Sequence, residues 1–144
     1  MLFASIDIGS NAVRLLFANA FLRDAEIHVE KASLIRIPVR LGKDVFKDNR
    51  ISKERADSLI KTLKAFRLLI DVYKPLDFRA CATSAMREAI NGEDVLKRIS
   101  TEAGINVDLI NGIEEANIIR ATNKLNLPDN NKLTMYIDVG GGST

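Results

Sequence analysis

Cysteine and histidine occur once each in the 144 residues, as Cys81 and His28. One cysteine excludes an intrachain disulfide, and one cysteine with one histidine cannot assemble a zinc site. Cys81 stands in an apolar, strand-like stretch with no base beside it, so it is read as a core residue and not as a reactive thiol. His28 lies in an alternating segment and is read as a surface residue. Charge of one sign is also scarce: 21 Lys and Arg against 19 Asp and Glu leave a net charge of +2. That balance argues against general nucleic-acid binding, so any attraction to polyanions must be local. No apolar run approaches the ~20 residues needed to span a bilayer, and no basic region precedes the first apolar run. No membrane partner and a cytoplasmic location are therefore expected. Pro- or Gly/Ser-rich linkers and low-complexity segments are absent as well. What remains, at 47% hydrophobic residues, suffices for one sizeable core.

Against these absences stands one element that occurs twice. Ala4 to Asn11 reads ASIDIGSN, and Met135 to Thr144 reads MYIDVGGGST. Each Ile-Asp-β-branched-Gly run predicts a strand end entering a tight turn, where glycine permits φ > 0. Only small side chains follow, so successive amides around Gly9-Ser10 and Gly140-Gly141-Gly142-Ser143 can converge on an anion, with Ser and Asn as further donors. Asp7 and Asp138 would repel a phosphate there unless a divalent cation or its water shell intervenes, which points to magnesium. Taken singly, a D-x-G turn is equally well a β-turn with a capping aspartate. As a pair, the loops resemble the superfamily of actin, sugar kinases and heat-shock chaperones, whose two ribonuclease-H-like lobes clamp a polyphosphate between them.

Leu2 to Ile8 and Ala12 to Phe21 are predicted to form a hairpin, with a turn at Leu22 to Ala25. Glu26 to Leu41 follows as one long strand or two shorter ones. Ser52 predicts an N-cap, with Glu54 in the first turn and Ala56, Leu59, Ile60, Leu63, Phe66, Leu69 and Ile70 at helical spacing until Pro75. Phe78 to Ala82 reads as a short strand buried on both faces. Two helical stretches broken near Asn91-Gly92 come next, the second ended by Gly104. A strand at Val107 to Ile110, a helix from Asn111 to about Leu125, a turn at Leu127 to Asn131 and a strand from Leu133 to Val139 complete the chain. The expected fold is α/β, a mixed five-stranded sheet in the ribonuclease-H-like order β-β-β-α-β-α-β. Residues 1–126 would form this lobe, and residues 127–144 would link it to the first strand and loop of a truncated second one.

In Asn111-Gly112-Ile113-Glu114-Glu115-Ala116 two neighbouring carboxylates need different explanations. With Asn111 as N-cap, Glu114 falls where a capping box would use it. Glu115 lies three and four residues before Ile118 and Ile119, toward the apolar face. Partial burial would raise its pKa while the helix N-terminus and a nearby cation would lower it, terms that suit a general base. The alternative is an exposed helix whose two acids complement its dipole. Arg87 follows a strand end, where α/β sheets bind ligands; it can hold a phosphate bidentately or be a solvated arginine of an early helical turn.

Taken in order, IDIGSNAVRL, IPVRLGKDVF, ATSAMREA, N-G-x-E-E-A and YIDVGGGST resemble the N-terminal part of the exopolyphosphatase/guanosine pentaphosphate phosphohydrolase (Ppx/GppA) family, over Phe3 to Thr144. The resemblance implies that Glu115 is the base activating the attacking water. It implies that Asn11, Gly140 and Arg87 contact phosphate and that Asp138 helps hold Mg2+, with Ser10, Gly141, Gly142, Ser143 and Asp7 as neighbours. The implied substrates are inorganic polyphosphate or guanosine pentaphosphate, in a homodimeric parent. The family's loop continues to an acidic residue beyond Thr144, so the chain is expected to be a fragment, inactive alone and self-associating through its C-terminal strand. The rival readings are an ATP-dependent sugar-kinase-type phosphotransferase, against which the N-G-x-E-E-A box argues, and a binding module that would not need Glu115.

Overall fold

The computed structural model of the chain describes residues 1–122, 137 and 139–141. β1 (Leu2–Ile8) and β2 (Val13–Arg23) pair antiparallel, with Ile6 opposite Leu15 and Asp7 opposite Arg14. β3 (Glu26–Ile37) continues the meander after a two-residue turn at Asp24 and Ala25, both at positive φ. That backbone matches the right-handed twist of the flanking strands. β4 (Asp77–Ala82) lies parallel to β1 on its other side, and the short β5 (Asp108–Leu109) lies parallel to β4. The order β3-β2-β1-β4-β5 is the ribonuclease-H-like arrangement, with β1 at its centre.

Helices cover one face of this sheet. α2 (Lys53–Tyr73) begins where Ser52 Oγ accepts from the Arg55 amide, and it ends at Lys74, which takes the left-handed conformation directly before Pro75. Its predicted stripe is buried, Leu69 in part, against α4 (Gly92–Ala103) and against Ile6, Ile8, Val13, Leu15 and Phe17 of the sheet. Gly104 closes α4 at φ 64. α3 (Ser84–Glu88) fills the turn after β4, and α5 (Gly112–Thr122) follows β5.

Four expectations need correction. β3 stops at Ile37, before Pro38, instead of reaching Leu41. The segment after it forms a short helix that alternation did not announce, α1 (Gly42–Asp48). β4 is buried on one face only: Ala80 and Ala82 enter the core, while Arg79 is exposed and Cys81 only half-buried. Cys81 is therefore not a core residue. His28 is exposed on β3, opposite Phe21. The predicted turn at Leu127 to Asn131 lies outside the described residues, as does most of the last strand. No described helix is long and apolar enough to cross a membrane.

Candidate active site

Period-2 alternation divides the central strands into two sets. Ala4, Ile6, Ile8, Ala80 and Ala82 face the helices, and Ser5, Asp7, Arg79 and Cys81 face the other way. On that second side a cleft of about 510 Å³ opens. Ser5 and Asp7 of β1, Arg14 of β2, and Arg79 and Cys81 of β4 line it, together with the loop from Gly9 to Ala12. Thr83 and Ser84 also line the cleft, as do Glu115, Ile118 and Ile119 of α5 and Val139, Gly140 and Gly141.

The first loop is held tightly. The Gly9 amide donates to the Ala12 carbonyl at 3.1 Å, the Arg40 amide to the Asn11 carbonyl at 2.9 Å, and the Gly42 amide to the Ser10 carbonyl at 2.8 Å. Gly9 does not use a positive φ, contrary to the expected turn; its surroundings are tight, since a Cβ would sit 3.3 Å from the Ala12 carbonyl oxygen. Gly42 is needed for space, because its Cβ would come 3.1 Å from that of Ser10 and 2.5 Å from the Phe46 ring. With the loop's carbonyls engaged, neither the Ser10 nor the Asn11 amide meets a backbone acceptor among the described residues. Such amides are what an anion cradle requires. The Ser10 hydroxyl is buried and shares a 2.9 Å hydrogen bond with that of Ser84, so it braces the loop against the start of α3.

The two sequence repeats meet here. Gly141 lies so close to the first loop that a Cβ on it would be 3.2 Å from Asn11 Cβ. Asn11, Gly140 and Gly141 thus share one cleft with Glu115. Gly142, Ser143 and Asp138 lie outside the described residues.

The carboxylates divide as their spacing implied, though by another contact. Asn111 Oδ1 accepts the Glu114 amide at 2.9 Å, and the Asn111 carbonyl accepts the Glu115 amide at 3.0 Å. The Glu114 carboxylate does not reach back to the cap; Arg79 Nη2 donates to it at 3.1 Å. Glu115 is half-buried in the cleft. Asp7 Oδ2 accepts from Arg14 Nη1 at 2.6 Å, a pair about half exposed, and among the described residues its Oδ1 carries no hydrogen bond. Magnesium needs only one or two carboxylates and otherwise keeps water and substrate phosphate. An open Asp7 oxygen beside the loop from Gly9 to Ala12 fits that demand, although no group of three or more potential ligands occurs among the described residues.

Arg87 is placed differently. Its Nη1 donates to the Ile110 carbonyl at 2.7 Å, tying α3 to the end of β5, and it is not among the residues lining the cleft. The cations that do line it, Arg14 and Arg79, were not singled out from the sequence. Arg79 is held firmly protonated by the hydrogen bonds it donates to Asp108 and Glu114. Burial pushes the Cys81 thiol up, with Arg79 opposing and Asp108, Glu114 and Asp7 adding to it. Cys81 is therefore a neutral thiol at the cleft wall and a poor nucleophile.

A family model for the Ppx/GppA phosphatase family matches residues 23–144. The chain belongs to this family. Among curated relatives, exopolyphosphatase 1 of Mycobacterium leprae is 29% identical over 138 residues, 96% of this chain and 40% of that protein. A bifunctional 3-dehydroquinate synthase/phosphatase of Fusobacterium nucleatum is 33% identical over 148 residues, 98% of this chain and 22% of that protein. Among solved structures, the Aquifex aeolicus Ppx/GppA family member superposes with a TM-score of 0.71 at 35% identity, covering 80% of this chain and 36% of that one. An exopolyphosphatase from Cytophaga hutchinsonii gives 0.72 at 30% identity, covering 82% and 36%. The chain thus spans at most 40% of the length of the curated relatives named here.

Proposed function

We propose that this chain supplies one side of the active site of a phosphohydrolase that releases terminal orthophosphate from inorganic polyphosphate or the 5′ phosphate from guanosine pentaphosphate. The observation that carries the reading is the convergence of Glu115 with Asn11, Gly140 and Gly141 on one cleft. Glu115 takes a proton from a water whose oxygen attacks the terminal phosphorus, in line with the anhydride oxygen that leaves. The Ser10 and Asn11 amides and those of the second loop hold the phosphoryl oxygens as their charge grows. Asp7, with Asp138, would hold magnesium, whose chemistry is to neutralise phosphoryl charge. Arg87, which lies outside the cleft lining and is tied to the Ile110 carbonyl, would meet only the part of the substrate chain that extends beyond the cleft.

Residues 1–126 form the first lobe in this proposal, and the loop within residues 127–144 begins the second. Catalysis then requires the intact two-lobed protein, a homodimer in the cytoplasm, because in-line attack tolerates little misplacement. The decisive experiment compares orthophosphate release from polyphosphate and from guanosine pentaphosphate with ATP consumption in that protein. Release dependent on Glu115 and on a divalent cation is the expected result. ATP-dependent phosphorylation of a small molecule, or binding without turnover, would overturn the proposal.

A further inference from the structure

Arg79 occupies an unusual junction. It stands on β4 in register with Ser5, on the polar face of the sheet. Its Nε donates to Asp108 Oδ2 on β5 at 2.8 Å, and its Nη2 donates to Glu114 Oε1 on α5 at 3.1 Å. Asp108 pairs with Cys81, two positions along β4, so the first bond is a diagonal contact between neighbouring strands. One planar guanidinium thereby ties two strands to the first turn of α5. All three side chains are about half exposed, and half-exposed ion pairs add little stability. The trio also carries one net negative charge, so although Arg79 lines the cleft it is poorly suited to attract a polyanion.

Its geometric effect falls on the next residue. The Asn111 cap fixes where α5 starts, through the Glu114 and Glu115 amides. A cap sets position along the axis but constrains rotation only loosely. Successive helical residues project about 100° apart, so fastening Glu114 to the sheet through Arg79 sets the direction taken by Glu115. We propose that Arg79 is the positioning residue for Glu115, acting through Glu114, with Asp108 holding the guanidinium in place. This inference rests on the reading of Glu115 as the general base. It assigns Arg79 no contact with substrate.

The test uses Arg79→Ala, Arg79→Lys, Glu114→Ala and the double variant Arg79→Ala/Glu114→Ala in the intact protein, with steady-state kinetics on polyphosphate and amide hydrogen exchange. A misplaced catalytic group costs on the order of 10- to 100-fold in rate. Arg79→Ala should therefore lower kcat by that factor while KM stays within about threefold, the pattern of an interaction that serves the chemical step. Arg79→Lys should retain part of the rate, because an ammonium can hold one carboxylate but not both. In the Glu114→Ala background, which has no side-chain acceptor for Arg79, the loss of Arg79 should cost little more, since both changes break the same link. Exchange should quicken in residues 112–116 of Arg79→Ala. A raised KM at unchanged kcat would make Arg79 a substrate contact and overturn the proposal, as would additive effects of the two changes. If the unaltered protein releases no phosphate from polyphosphate, the functional reading fails, and exchange alone then decides this inference: faster exchange confined to α5 upholds the brace, and unchanged exchange refutes it.

Discussion

Ile6 and Asp7 are adjacent on β1, yet Ile6 is 1% exposed beneath the helices and Asp7 stands half-open in the cleft. The same division runs along β4, where Ala80 and Ala82 are buried while Arg79 and Cys81 line the cleft. The two faces of the sheet follow different physics. On the helix-covered face, free energy comes from apolar area removed from water and from the absence of cavities. On the cleft face it comes from charges that remain partly hydrated, where each pair contributes little to stability and much to the local field. A strand's alternation thus separates folding from chemistry at a spacing of one residue. Substitutions should divide accordingly.

The largest expected effect is on the cleft side. Glu115→Gln in the intact protein keeps the shape but removes the proton acceptor, and should lower phosphate release by about 100- to 10,000-fold. Equilibrium binding of polyphosphate should survive, because the gripping groups are elsewhere. Steady-state rates set beside a binding titration check this, and an active Glu115→Gln enzyme would remove the residue from the mechanism.

Next come the neighbours at the division itself. Ile6→Ala should destabilise the chain by about 2 to 5 kcal/mol, as buried large-to-small changes do. Asp7→Asn should cost under about 1 kcal/mol, the usual worth of a half-exposed ion pair, while raising the magnesium concentration needed for half-maximal turnover. Urea unfolding of the chain and a magnesium titration of the intact protein after chelation measure the two outcomes. A large stability loss from Asp7→Asn would mean that the cleft face also holds the fold together.

How much of this division was legible in the sequence depended on how local its causes were. α2 was legible because Ser52, the apolar spacing and Pro75 act within single turns of helix. The separate fates of Glu114 and Glu115 were legible from their places relative to Asn111, although the partner of Glu114 was not. Arg79 reaches it diagonally across β5, and no pattern within one segment encodes a contact between three. The exposed face of β4 was hidden for another reason. In Phe78-Arg79-Ala80-Cys81-Ala82 the alanines and cysteine are small enough to suit either side, so alternation gave no contrast. α1 is only seven residues long, too short for periodicity to register, and its close approach to Ser10 is tertiary. The loop repeat was visible, but its meaning, that Gly141 approaches Asn11, emerges only from the folded chain.

A smaller effect is expected where α1 meets α2. Asp44 is 18% exposed; its Oδ1 accepts from Arg55 Nε at 2.6 Å and its Oδ2 accepts from the Ser52 amide at 3.2 Å. Burial pushes the Asp44 carboxyl up, but the bonds from Ser52 and Arg55 outweigh it and hold the group below its ordinary value of 3.8. A carboxyl depressed in the folded state stabilises the fold fully above that ordinary value, and the contribution is lost as pH falls through the lower folded one. Asp44→Asn should therefore cost about 1.5 to 3 kcal/mol near neutral pH, the range for hydrogen bonds to a charged group. The gap from the unaltered chain should narrow below pH 3.8. Urea unfolding of both chains across that range provides the measurement, and a gap independent of pH would show that Asp44 acts by shape alone.

The smallest effect sharpens this last point, because Ser52 takes part in two bonds that a single substitution separates. Its hydroxyl accepts from the Arg55 amide at 3.3 Å, and its own amide donates to Asp44. Ser52→Ala removes the first and leaves the second. Loss of a serine N-cap costs about 0.5 to 2 kcal/mol, and the long 3.3 Å contact places this one toward the lower end. The Ser52 side chain is the largest of the contributions that hold the Asp44 carboxyl down, ahead of Arg55 and of the Ser52 amide, so the acid sensitivity of the chain should be reduced in Ser52→Ala, where the amide still donates, and blunted further in Asp44→Asn. Unfolding of the two variants at neutral and at acid pH would distinguish the bonds. If Ser52→Ala left the acid sensitivity intact, Arg55 and the serine amide, and not the serine hydroxyl, would be what holds the Asp44 carboxyl down, and the α1 to α2 junction would depend on the backbone where we assign it to a side chain.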